Sequence, residues 1–244
     1  MIRTSFGGRS GNLLFQNIGT SIISKKFNLF VEKYENIDEF KQLGLIVFSG
    51  EREMDKLILV SDDGFLYKNG IKTSEKCMSL IELMNLDNIE SGIYYEGYFQ
   101  VGEFIKKYEK EIMDHFTLIK SPRKKNEIFI HVRLGDVDYL NPGLAYYEKC
   151  LNSIDFDGGY ISSDSPHHPL VNKLINDYGL ILFSGSPVDT INFGKDFNNL
   201  ILSQGTFSWW IGFLSKSENI FWPSGGQKWH GDIFVFDSWK KIEF

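Results

Sequence analysis

Between residues 127 and 185, short apolar runs alternate with helical patterns: EIFIHVRL, PGLAYYEKCLNSI, GGYISSD, PLVNKLINDYG and GLILFSG. The first, third and fifth are short runs closed by turn residues and read as strands; the second and fourth repeat their apolar positions every three to four residues, as helices do. Strands separated by helices pair in parallel, because the helix is the crossover that returns the chain to the same end of the sheet. Both faces of such a sheet are covered, and its ligands bind outside the carboxyl ends of the strands. The pattern predicts an α/β fold. It sets HVRLGD (131–136) and SSDSPHH (162–168) where ligands bind.

The first half carries the same kinds of signal. The glycine-rich FGGRSG opens onto NLLFQNIGTSIISKKF (12–27), where Leu14, Ile18, Ile22 and Ile23 follow helical spacing. LGLIVF (43–48) and KLILVS (56–61) read as strands, and Val101 to Phe116 as one amphipathic helix. The basic, proline-containing KSPRKKN (120–126) reads as a linker between an N-terminal domain, 1–119, and a C-terminal one, 127–244.

Composition narrows the function. A net charge of −6 argues against a nucleic-acid partner, since phosphate contacts need a surplus of Lys and Arg. Any polyanion must be small and held locally. Cys77 and Cys150 stand far apart and form neither a disulfide framework nor a metal-binding pair; they read as buried thiols. No run reaches the roughly 18 apolar residues of a membrane span, and MIRTSFGGRSG lacks the apolar core of a secretory signal, so the expectation is a soluble, cytoplasmic protein.

Three stretches carry chemistry. Arg133, at the tip of a parallel strand, suits bidentate pairing with phosphate, and His131 suits a sugar hydroxyl; the plainer alternative is an ion pair between Arg133 and Asp136. In ILSQGTFSWWIGFL (201–214) an apolar strand enters a turn that opens an aromatic helix, which sets Thr206, Phe207 and Ser208 at a helix N-terminus, an anion site, with helix capping as the alternative. Trp209 and Trp210 read as core, because two adjacent indoles cannot both face a cleft. In GGRSGN (7–12), Arg9 and Asn12 sit on a tight turn that lacks the dinucleotide-binding spacing. His167 and His168 have no acidic or Cys ligand at metal spacing and read as loop histidines; no metal is expected.

Together GRSGNLLFQ, EGYFQVGEF (96–104), HVRLGD, YYEKCLNSI, ISSD and QGTFSWWIGFL resemble the alpha-1,2-fucosyltransferase family and, more distantly, the wider group of GDP-fucose-dependent transferases. The resemblance covers nearly the whole chain. It implies two Rossmann-like domains of the GT-B glycosyltransferase type, with an acceptor-side N-terminal domain and a GDP-fucose-binding C-terminal one. It also implies inverting transfer of L-fucose to O2 of a terminal galactoside, with no cofactor beyond the donor. Carried over, Arg133 neutralises the diphosphate and His131 contacts ribose or phosphate. Ser163 and Asp164 lie at the donor, Asp164 reading the nucleoside, and Thr206, Phe207 and Ser208 wrap the phosphates. Arg9 and Asn12 face the reacting centre, and Asp136 is the nearest carboxylate, either base or turn residue. The chain departs from the family at Leu134, where a second Arg is usual, at Gln204–Gly205, where Asn-Ser is usual, and in a short segment between Asp189 and Leu202. Two alternatives stay open: a transferase with a protein or other glycan as acceptor, and an inactive carbohydrate-binding relative.

Overall fold

The computed structural model describes residues 1–68, 71–118, 124–225 and 232–244. The chain forms two compact units, Met1–Leu118 with His230–Val235, and Ile119–Trp229 with Phe236–Phe244. Each is built on its own parallel sheet.

In the first unit the order is β1 (Ile2–Thr4), α1 (Ser10–Phe27), α2 (Ile37–Phe40), β2 (Leu57–Ser61), β3 (Phe65–Lys68), β4 (Ile71–Lys76), β5 (Met78–Ser79), α3 (Leu80–Met84), β6 (Gly92–Glu96), α4 (Gly102–Lys107) and α5 (Glu109–Asp114). Strands β1, β6, β2 and β5 pair in that order, all parallel, while β3 and β4 form a separate antiparallel ribbon. The short segment near the C-terminus joins this unit through Gly102, where an added Cβ would lie 2.5 Å from the Asp232 carbonyl.

The helix α1 is buried on nearly every face, not only along its apolar stripe. Its polar side chains therefore need partners inside the protein, and they find them in the loops. Gln16 donates to the carbonyls of Ser5 (3.0 Å) and Gly97 (2.8 Å) and accepts from Gly7 N–H at 3.0 Å. Asn17 exchanges two bonds with the Glu35 backbone. Ser21 accepts from Phe48 N–H at 2.7 Å, and Ser24 from Gly50 N–H at 3.0 Å. These bonds explain why LGLIVF is not a strand: Gly44 turns the chain at φ 78°, and the amides beyond it bond to α1 hydroxyls and the His115 carbonyl rather than to a neighbouring strand. The expected helix from Val101 to Phe116 is two helices, broken at Tyr108, whose φ of −107° and ψ of 18° are not helical.

The second unit runs β7 (Lys124–Val132), α6 (Leu144–Leu151), β8 (Gly158–Ser163), α7 (Pro169–Tyr178), β9 (Ile181–Leu182), α8 (Pro187–Gly194), β10 (Phe197–Ile201), α9 (Thr206–Leu214), β11 (Asn219–Ser224) and β12 (Lys240–Glu243). Its six strands pair in the order β12, β11, β10, β7, β8, β9, all parallel. The chain thus works outward from β7 through β8 to β9, then returns to the other side of β7 at β10. Of the expected linker KSPRKKN, Lys124, Lys125 and Asn126 are strand, and residues 120–123 lie outside the described residues.

Strand β7 sets both cores by its period of two. Ile128, Ile130 and Val132 pack in one apolar cluster with Tyr146, Tyr147, Cys150 and Val171. On the other face Phe129 meets Phe193 and Phe197, with ring centroids 5.9 and 5.5 Å apart. Burial pushes the Cys150 thiol up to about 12, so it stays protonated. Cys77, expected to be buried, is only half-buried, with its Sγ 3.3 Å from Ser61 Oγ.

Candidate functional site

The reversal between β7 and β10 is the point where a parallel sheet opens a crevice at its carboxyl edge. Three chain segments lie at that carboxyl edge: residues 131–136 at the end of β7, 163–165 at the end of β8, and 203–208 after β10.

Within β7 the alternation of faces assigns each residue its task. His131 follows Phe129 onto the α8–α9 face, where its Nδ1 and Ser208 Oγ share a 2.6 Å hydrogen bond and its ring lies 5.0 Å from that of Phe207. The ring is 4% exposed and Ser208 1% exposed. Burial first, and the Arg133 charge second, push the imidazole down to about 3, so it is neutral. In this structure His131 binds β7 to the first turn of α9; it does not open to solvent.

Arg133 comes next on that face, and its side chain is 16% exposed. Its guanidinium pairs with Asp164 and with Asp136. Asp164 also accepts from Leu134 N–H at 2.9 Å, and Ser165 Oγ accepts from Gly135 N–H at 3.2 Å, so the loops after β7 and β8 are sewn together. Gly135 is required at this seam: φ is 50°, and an added Cβ would lie 2.6 Å from Asp164 Oδ2. Asn141 donates to the Arg133 carbonyl at 2.9 Å. Ser163 Oγ accepts from Ser165 N–H at 3.0 Å. The ion pair anticipated between Arg133 and Asp136 is present, extended by Asp164. Two carboxylates stand against this one guanidinium, Asp136 with its side chain 55% exposed and Asp164 with 24%.

Leu134 stands where the resembling family usually has a second arginine. It is 3% exposed and belongs to the core cluster of Ile130, Val132, Tyr146 and Tyr147. The position continues the inward face of β7, so an arginine side chain there would point into the core.

At the third segment Gly205, not Thr206 or Ser208, is the N-cap of α9. Thr206 is the first helical residue, and the Ser208 hydroxyl serves His131. Gly205 holds φ 110° and ψ 161°, a region open only to glycine, yet an added Cβ would meet nothing within 4 Å among the described residues. Trp209 and Trp210 are fully buried, Trp209 stacking on Phe213 at 4.6 Å, as expected of core residues. His168 is the N-cap of α7, its Nδ1 accepting from Leu170 N–H at 3.2 Å.

In the first unit Arg9 is the N-cap residue of α1, and Asn12 lies in its first turn, accepting from Gln100 Nε2 at 3.0 Å. Gly8, at φ 85°, makes the turn that brings Arg9 there. Asp62, which the sequence reading passed over, sits just beyond β2 and accepts from Tyr98 N–H and Phe99 N–H, each at 2.8 Å, and from the Tyr95 hydroxyl. Burial raises its carboxyl above the ordinary range, against the lowering by those three bonds. The one signal for it was its place after KLILVS, at the carboxyl end of a strand.

Among the described residues no group of three or more His, Cys, Asp or Glu is placed to hold a metal ion, and no helix is long and apolar enough to cross a membrane. No family model, curated protein or solved structure matches the chain. What fold and geometry define is an α/β protein with two parallel sheets flanked by helices, the larger bearing a basic-acidic cluster and a helix N-terminus at its switch point.

Proposed function

We propose that the chain is a glycosyltransferase of the GT-B type that moves L-fucose from GDP-fucose to O2 of a terminal galactoside, with inversion at the anomeric carbon. The observation that carries this reading is the arrangement of Arg133, Ser163–Asp164 and the first turn of α9 at the carboxyl edge of a parallel sheet, where the strand order reverses. The sequence motifs supply the choice of GDP-fucose.

In this reaction the bond from fucose C1 to the diphosphate oxygen breaks as the acceptor O2 bonds to C1 from the opposite face. The electron pair leaves with GDP, and the acceptor proton passes to a base or to water. Charge develops on the diphosphate, so electrostatic stabilisation is the main catalytic demand. Arg133 and the α9 amides, backed by the helix dipole, meet it. Asp136 yields its place on Arg133 to phosphate and then serves the turn rather than the chemistry. His131, neutral and buried, acts by fixing α9.

A thermal-shift comparison tests the nucleotide half: GDP raises the melting point, UDP and ADP do not. Arg133→Ala lowers turnover by about 10²- to 10³-fold, the effect of removing one donor to a developing oxyanion, with the fold retained. Near-normal turnover in that variant sinks the assignment. A second reading, a carbohydrate-binding protein without turnover, draws on the two carboxylates that flank Arg133. GDP release from GDP-fucose in the presence of lactose separates the two.

A further inference from the structure

The carboxyl edge of the first unit's sheet holds an organised cluster that the donor chemistry does not use. After β6 the chain runs Gly97, Tyr98, Phe99, Gln100, and Phe99 takes φ 58°, rare for a bulky residue. Several contacts hold it there. The Asp62 carboxylate takes the amides of Tyr98 and Phe99, each at 2.8 Å, together with the Tyr95 hydroxyl. The Phe99 ring is fully buried and stacks on Tyr95, with centroids 3.8 Å apart and planes at 10°. It also fills the space over Gly19, where an added Cβ would lie 2.1 Å from the ring. Gln16 fixes the Gly97 carbonyl at 2.8 Å.

The turned backbone delivers Gln100, which is 2% exposed. Its Nε2 donates to Asn12 Oδ1 at 3.0 Å, while its Oε1 is buried with no hydrogen-bond partner among the described residues. Leaving a buried amide oxygen unpaired costs free energy. Backbone strain of the Phe99 kind does too, and clusters where geometry serves a ligand. Both costs fall on one short segment, and the group they orient is the half-buried side chain of Asn12.

We infer that Asp62 is a positioning residue for the acceptor: through the left-handed Phe99 it sets Gln100, and Gln100 sets the Asn12 amide that meets an acceptor hydroxyl. The inference rests on the transfer reading above, together with the family resemblance, which implies that Asn12 faces the reacting centre. An amide offers a donor and an acceptor without net charge, which fits a neutral polyol such as a sugar. Asp62 itself touches no substrate.

The test is Asp62→Asn in the full chain, with Tyr95→Phe beside it, since the latter removes one bond to the carboxylate and keeps both backbone amides. In Asp62→Asn the side-chain amide NMR signals of Asn12 and Gln100 shift, and kcat/KM for lactose falls by about 10- to 100-fold, the scale of a misplacement of roughly 1 Å. KM for GDP-fucose and the GDP-induced rise in melting point stay within about twofold, and Tyr95→Phe follows the parent protein. Unchanged amide signals overturn the inference, as does an equal fall in the lactose and GDP-fucose terms. Should Asp62→Asn not fold, Gln100→Met removes the amide at similar volume and must reproduce the lactose-side loss; a normal kcat/KM for lactose overturns the inference. A parent protein that neither responds to GDP nor turns over refutes the transfer reading, while the NMR comparison still decides whether Asp62 sets Asn12.

Discussion

Acid should destabilise the second unit through His131. Its ring is buried against Ser208 and Phe207, and its pKa lies at about 3, against 6.5 in the unfolded chain. Because the folded pKa is the lower one, the unfolded state binds the proton first, and stability rises with pH between the two values. The contribution is present above 6.5 and is lost as pH falls through that value toward 3. At pH 5 the unfolded ring is almost fully protonated and the folded one hardly at all, so the loss is about 2 kcal/mol; a folded pKa one unit higher scarcely alters it. All five tryptophans, at positions 209, 210, 222, 229 and 239, fall in the sequence of the second unit, so tryptophan fluorescence reports its unfolding. The assay is urea unfolding at pH 7 and pH 5 for the parent and for His131→Asn, which keeps a polar group near Ser208. The variant should lose about 2 kcal/mol less than the parent over that interval. Equal losses in the two proteins refute the reasoning, because His131 would then not be buried neutral.

Further outcomes follow from the same geometry. Gly205→Ala forces an L residue into φ 110° and should cost about 1–3 kcal/mol, a fall in melting point of several degrees, although no atom of the described residues obstructs the new methyl. Leu134→Arg, which restores the arginine usual in the resembling family, should cost about 3 kcal/mol or more and leave GDP affinity no higher, since the side chain enters the core; calorimetry with GDP checks both. His115 is also held below its ordinary pKa by burial, with its Nε2 on Ser21 Oγ at 2.9 Å. The first unit should therefore also lose stability as pH falls below 6.5, and His115→Gln should reduce that loss, followed by hydrogen exchange at Ser21 and Phe48.

Much of the second unit was legible because β7 to β9 and their helices are local units, each announcing itself by periodicity. The same periodicity held the answer to Leu134. In IFIHVRL, Ile128, Ile130, Val132 and Leu134 fall on one face and Phe129, His131 and Arg133 on the other; read by register, the leucine is core. The first unit was less legible. LGLIVF has the composition of a strand, but its Ile46 amide bonds to the His115 carbonyl and its Phe48 amide to the Ser21 hydroxyl on α1, partners far off in sequence that no local pattern records. Asp62 was passed over for the same reason, since its partners lie 33 to 37 residues away.

By itself the sequence determined the alternation of strand and helix, the parallel pairing it enforces, and the edge on which HVRLGD, ISSD and the GTFS turn stand, because helical and strand periods are properties of neighbouring residues. Only the tertiary structure decided that β10 returns beside β7, that Asp164 joins Asp136 on Arg133, that His131 is sealed against Ser208, and that the Phe99 amide is held by Asp62. Those are contacts between residues distant in the chain, and their strength comes from burial, which exists only once the sheet is assembled.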